Sequence, residues 1–174
     1  MNETIQTLCT RRSIRKYKPE QIADSDLQQI LAAGMNAPSG MSLQPVTMVV
    51  VQDKDTIAQL TAMNARIMGT TSDPMYGAPT IIVVLTDPEK SANAWADGCL
   101  VMGNLMNAAA ALSLGSCWIN RAKEEFASPE GKELLRKWGL PDHLVGVGHC
   151  ILGYPDGPAP AAKPRKPDFV KFVK

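Results

Sequence analysis

The chain has 174 residues, and 18 Lys plus Arg against 17 Asp plus Glu leave a formal net charge of +1. With 45% hydrophobic and 20% charged residues it has the composition of a folded domain, and it lacks the strong field that would draw the whole surface onto nucleic acid or an anionic membrane. No apolar run approaches the roughly 18 residues of a membrane span, and the first residues carry no basic stretch followed by an apolar one, so one cytoplasmic domain over residues 1–174 is expected.

Asn2 to Leu8 predicts a short helix. Ser25-x-x-Gln28 matches a capping box, with Leu27, Ile30, Leu31 and Met35 following at helical spacing until Gly34 and Pro38. Val46 to Val51 is a β-branched strand, and Asp55 to Met68 a helix with the stripe Ile57, Leu60, Asn64 and Ile67. Thr80 to Leu85, apolar almost throughout, reads as a central strand. Trp95 to Leu114 is a long helix, apolar on most faces and suited to a core or a dimer interface. Gly115 to Ile119 is a strand, Ser128-Pro129 starts a helix that runs to about Trp138, and Val145 to Leu152 is the last core strand. Gly146-Val147-Gly148 lies inside that strand and is read as close packing rather than a nucleotide loop. Pro155 to Pro167 holds five prolines and three basic residues and reads as an extended arm. Asp168 to Val173 then alternates like a short strand that packs on a partner subunit. Too few strands, irregularly spaced, exclude a barrel and give a layered α/β or α+β domain.

The four cysteines, Cys9, Cys99, Cys117 and Cys150, show no CxxC spacing, and three lie in apolar stretches where a free thiol behaves as a small hydrophobe. His143 and His149 have no carboxylate or Cys at metal-ligand spacing, and no metal site is expected. The densest polar cluster is Thr10 to Lys18, with five cations among residues 11–18. It is either a solvated loop or a grip for a phosphate or another delocalised anion. A second basic group, Lys163-Pro164-Arg165-Lys166, sits in the arm; few aromatics flank either group, which argues against stacking on nucleic acid. Asn64 interrupts an apolar stripe, so its amide either bonds within the core or meets a ligand. Asn104 poses the same alternative. Pro38 to Pro45 is a turn-rich loop between a helix and a strand.

Arg11-Arg12-Ser13-Ile14-Arg15, Ala37-Pro38-Ser39 with Gln44-Pro45, Gly77-Ala78-Pro79 before Ile81 to Val84, Ala111 to Ile119, and Leu152-Gly153-Tyr154-Pro155 occur in one order along the chain. Together they make it resemble the nitroreductase family of flavoproteins in its short form. The resemblance covers nearly the whole sequence. It implies an α+β fold with a central, mostly antiparallel sheet flanked by helices, and an arm over 155–174 that extends onto the partner subunit. It also implies a homodimer with FMN at the subunit interface. Hydride would pass from NAD(P)H through flavin N5 to acceptors such as nitroaromatics or quinones, in alternating half-reactions. By position Arg11, Arg12, Ser13 and Arg15 would hold the flavin, Arg11 at the phosphate and Arg15 near the pyrimidine edge. Asn64 would bond the ring edge or the ribityl chain, and Lys163 and Arg165 would clamp the phosphate. Pro38, Ser39 and Gly40 would cover the ring from the partner, with Ser42 standing where the family has Asn. Asn120-Arg121-Ala122-Lys123 replaces the Glu-Gly pair that larger relatives carry near N5, and no catalytic side chain is assigned. The short stretch from Asp53 to Pro79 implies an open pocket. A flavin-binding sensor or carrier, and a specialised reductase on the same scaffold, are the alternatives; the first predicts bound FMN without NAD(P)H oxidation.

Overall fold

The structure, a computed structural model, describes residues 1–174. Its elements run α1 (Glu3–Thr10), α2 (Asp24–Met35), β1 (Val46–Val51), α3 (Lys54–Met68), β2 (Thr80–Thr86), α4 (Ala94–Ala111), β3 (Gly115–Ile119), α5 (Ala122–Ala127), α6 (Pro129–Lys137) and β4 (Val145–Gly153). The four strands form one sheet in the order β1-β2-β4-β3, and every pairing is antiparallel. This is the α+β architecture expected.

β2 shows why the sheet sits between two helical layers. All seven of its residues are buried, and successive side chains point to opposite faces. Ile81, Val83 and Leu85 join Leu60, Met63, Phe126 and Leu135 of the layer that contains α3, α5 and α6. Ile82 and Val84 join Ile30, Met102 and Leu105 of the layer formed by α2 and α4. Each such aliphatic side chain contributes about 1.5–3 kcal/mol of burial, so a continuous apolar run is what a strand covered on both faces requires.

Local signals explain most boundaries. Asp53 caps α3 by accepting Thr56 N–H at 2.8 Å, and Gly69 ends it at φ 71. Ser128 caps α6 through Gly131 N–H at 3.1 Å, with Pro129 at the first helical position. The Ser25-x-x-Gln28 capping box does not form. α2 starts two residues earlier behind Ala23, with no side-chain cap, and Asp24 and Asp26 supply the favourable charge in its first turn. Gly34 does not stop α2 but lies within it. A Cβ there would sit 2.8 Å from Leu105 Cδ2 and 2.9 Å from Met48 Sδ, so the glycine permits close approach. The glycines of β4 also mark close packing, as expected: a Cβ on Gly146 would lie 2.2 Å from Ala122 O.

Two ends of the chain lack cover. α1 buries none of its residues, and Ile5 and Leu8 are exposed. Residues 157–174 are exposed throughout and form no strand, so the alternation at Asp168–Val173 finds no sheet to join within this chain.

Cys117 and Cys150 are buried and Cys9 is exposed. Burial pushes the Cys150 thiol up to about 12. Cys150 is therefore expected to escape a thiol reagent at pH 8 in the native protein while Cys9 labels readily, and peptide mapping after a native pulse checks this. The sign of the linkage also follows. Above the ordinary thiol value of 9.0 the unfolded chain loses this proton while the folded chain keeps it, so stability falls as pH rises from there.

Candidate functional site

The basic segment is held by the sheet it borders. α1 ends at Thr10, and Arg11 leaves helical geometry at φ −52 and ψ 137. The chain then runs extended: Ser13 bridges Ser116, Tyr17 bridges Pro155, Ile14 N–H donates to Ser116 O at 3.0 Å, and Lys18 N–H donates to Tyr154 O at 2.9 Å. Tyr17 turns inward and its hydroxyl donates to Ile14 O at 2.6 Å; burial raises its phenol well above the usual range. Gly115 and Gly153 make room for this docking, since a Cβ on either would come within 3.0 Å of Tyr17.

The cations of this segment differ in what engages them. Arg11 is half-buried, and its Nη1 is covered with no partner. Arg12 Nη1 donates to Cys9 O at 3.0 Å and Arg11 O at 2.7 Å, which finishes the C-terminal turn of α1. One nitrogen of this guanidinium is thus engaged in closing the helix. Arg15 is exposed, while Lys16 pairs with Asp156 at 2.6 Å. Three hollows follow the segment. Arg11 lines one with Thr10, Ser113 and Pro155. Ser13 and Arg15 line a second with the start of the arm. Arg15 also edges a third, a cavity of about 370 Å³ walled by Tyr76, Trp118, Ile119 and Arg121.

Behind that cavity lies a buried polar chain. Arg121, at the left-handed φ of 79 before α5, donates through Nε to Asn64 Oδ1 at 2.8 Å. Asn64 Nδ2 donates to Asn120 O at 2.8 Å and to Glu125 Oε1. Glu125 Oε2 accepts from His149 Nε2 at 2.9 Å. Asn64, Glu125 and His149 are each 0% exposed. The Asn64 amide is satisfied inside the protein, and it borders the cavity through Arg121 and Asn120. Asn104 is likewise satisfied, donating to Ala33 O at 2.9 Å.

The loop from Pro38 to Gln44 stands elsewhere, with Pro38, Ser39 and Gln44 lining a hollow of about 220 Å³ beside α2 and α4. Ser39 Oγ accepts Gln44 N–H at 3.1 Å and Gly40 N–H donates to Asp97 Oδ1 at 3.0 Å. Met41, Ser42 and Gln44 all have positive φ, a strained turn held by those bonds; Ser42 is exposed. Lys163 and Arg165 are exposed in the arm, and the chain does not bring them to Arg11. His143 gains carboxylate neighbours that linear spacing hid, Asp87 at 3.2 Å and Glu89 at 3.9 Å. Its three ligating atoms lie within 4.8 Å of one another, and Asp87 Oδ1 also accepts Glu89 N–H at 3.0 Å.

Sequence reasoning missed Arg121, Glu125 and α5 itself. A signal existed for Glu125, which is a charge three residues from Ala122 and adjacent to Phe126 on a face that is otherwise apolar.

A row of cations runs along one edge of the antiparallel sheet of this α+β protein and opens on a cavity bordered by Tyr76 and Arg121, an arrangement suited to an anionic ligand. Comparison with known proteins gives the lineage. The chain belongs to the nitroreductase family, whose profile matches residues 8–154. It is 33% identical over 159 residues to a putative NADH dehydrogenase/NAD(P)H nitroreductase of Archaeoglobus fulgidus, covering 89% of this chain and 87% of that one. It is 28% identical over 189 residues to the FMN reductase [NAD(P)H] of Bacillus subtilis, covering 96% and 71%. A nitroreductase of Bacteroides fragilis, crystallised with bound FMN, superposes with a TM-score of 0.91 at 31% identity over 100% of both chains. No helix is long and apolar enough to cross a membrane.

Proposed function

We propose that the protein is a cytoplasmic, homodimeric FMN-dependent oxidoreductase that takes hydride from NAD(P)H and delivers it to electron-poor acceptors such as nitroaromatics or quinones. The observation that carries this reading is Arg11. A guanidinium nitrogen covered from water with no acceptor is costly by itself and becomes favourable when an anion arrives. A phosphate suits that position, and Arg15, two hollows along the same strand, suits the pyrimidine edge of a flavin. When bound, FMN supplies reversible hydride acceptance at its ring.

The chain's residues would do the rest. Arg11 fixes the phosphate end, with Arg12 acting indirectly by closing α1. Ser13 offers a hydroxyl beside Arg15. Arg15 places a positive charge where reduction leaves negative charge, which raises the flavin's tendency to accept electrons. Asn120 and Arg121 occupy the wall where a backbone N–H could meet the ring, so no side-chain acid is required. The exposed face of α1, with Ile5 and Leu8, and the exposed Phe169, Val170, Phe172 and Val173 of the arm support a second copy as their cover. In such a dimer Pro38, Ser39, Gly40 and Ser42 of one copy would shield the ring held by the other, and Lys163 and Arg165 would reach its phosphate. The single domain 1–174, with 155–174 as the arm, is the unit of that assembly.

An absorbance spectrum of the purified protein, before and after anaerobic NADH or NADPH, tests this. Flavin bands that bleach with either nucleotide are the expected result. Protein that holds no flavin, even when offered FMN, overturns the cofactor; bands that no nucleotide bleaches overturn the hydride donor.

A further inference from the structure

We propose that Arg121 is an anion-binding residue for the acceptor, so that the cavity selects electron-poor aromatics carrying a carboxylate. This rests on the flavin reading above and adds the substrate class to it. Arg121 has five N–H donors in a rigid fork. Nε is committed to Asn64 Oδ1 at 2.8 Å, while its two terminal nitrogens are neither bonded within the chain nor enclosed in the core. Arg121 lines the cavity.

The buried chain behind Arg121 fixes its aim without neutralising it. Asn64, which is 0% exposed, stands between the guanidinium and Glu125, and no carboxylate lies within ion-pair distance of Arg121. The remaining charges around the cavity are one cation and one carboxylate, which with Arg121 leave the balance positive. Arg15 is a second cation with no ion-pair partner. Asp73 is the one carboxylate, and its two oxygens accept Met75 N–H at 2.7 Å and Gly77 N–H at 2.6 Å. Arg15 is assigned to the flavin, so Arg121 is the cation left for a second ligand.

The rest of the wall supplies an aromatic body's needs. Tyr76 is the aromatic side chain of the wall, and Met68 and Ile119 offer apolar contact. An engineered apolar cavity of about 150 Å³ admits benzene; the volume here is about 370 Å³, enough for a substituted single ring beside another planar group. A carboxylate on that ring would meet the guanidinium fork in two parallel N–H···O bonds.

The test uses FMN-loaded protein and two non-reducible probes of equal shape, benzoate and benzamide, titrated by the perturbation of the bound flavin's absorbance. Wild type is expected to prefer benzoate, and sodium chloride is expected to erode that preference. Arg121→Gln should lower the benzoate-to-benzamide preference by tenfold or more, and Arg121→Lys should keep part of it. The KM ratio of 4-nitrobenzoate to 4-nitrobenzamide should rise to match in the Gln variant. An unchanged preference in Arg121→Gln overturns the proposal, as does an equal loss for both probes. A lowered flavin midpoint potential with the preference intact also overturns it, since the cation would then serve the ring. If the Gln variant does not fold, a wild-type preference that is absent or indifferent to salt overturns it alone. Protein that takes up no FMN fails the flavin reading first, and that failure is distinct from loaded protein with no charge preference.

Discussion

Arg11→Gln is expected to weaken FMN binding by about 100-fold, measured by quenching of flavin fluorescence on titration with apoprotein. A hydrogen bond to a charged group contributes about 1.5–3 kcal/mol, and about 2.8 kcal/mol is two decades of affinity. Arg11 is the residue for this test because its Nη1 is covered and unpartnered, whereas Arg12 already bonds two carbonyls of α1. The same substitution has an opposite effect on the empty protein. Removing a half-buried cation that lacks an acceptor relieves a desolvation cost, so the apoprotein's melting temperature should hold or rise. The increase in melting temperature that saturating FMN confers should shrink. A loss of FMN affinity below threefold would remove Arg11 from the phosphate site.

Glu125→Ala is expected to destabilise the fold by about 2–5 kcal/mol, since two buried donors each lose an acceptor at about 1–3 kcal/mol apiece. His149 Nε2 would lose an acceptor at 2.9 Å, and Asn64 Nδ2 would lose its carboxylate, with all three residues sealed from water. Glu125→Gln keeps the shape and one acceptor oxygen, and its cost should be less than half as large. Urea unfolding of both variants at one fixed protein concentration compares them. Equal losses would mean that side-chain volume, rather than the polar chain, is what Glu125 contributes.

The contrast between these two residues marks what could be read from sequence. β1, β2, β3 and β4 were legible because β-branched runs bounded by turn formers report burial directly. The Ser128-Pro129 start of α6 was legible because a cap is a purely local device. Ser25-x-x-Gln28 had the same local form and failed, because the fold starts α2 two residues earlier. α5 has six residues and enters from a left-handed Arg121, too short to show a helical period. Asn64 announced itself as polar on an apolar stripe, but its partners Arg121 and Glu125 lie 57 and 61 residues away. No spacing rule reaches that far, so a satisfied amide and a ligand contact stayed indistinguishable until the fold was seen. The basic segment was visible as charge, yet which of its arginines was free and which was engaged depended on the carbonyls at the end of α1.

The docking of that segment also ties its geometry to distant strands. Ser13 pairs with Ser116 and Tyr17 with Pro155, contacts that each close more than a hundred residues of chain and so carry a large loop-closure entropy. Their partner residues stand on β3 and just beyond β4, so the spacing of the arginines in space is inherited from the register of those two strands, and a register slip in β3 would misplace the cations without altering a single residue of the basic segment.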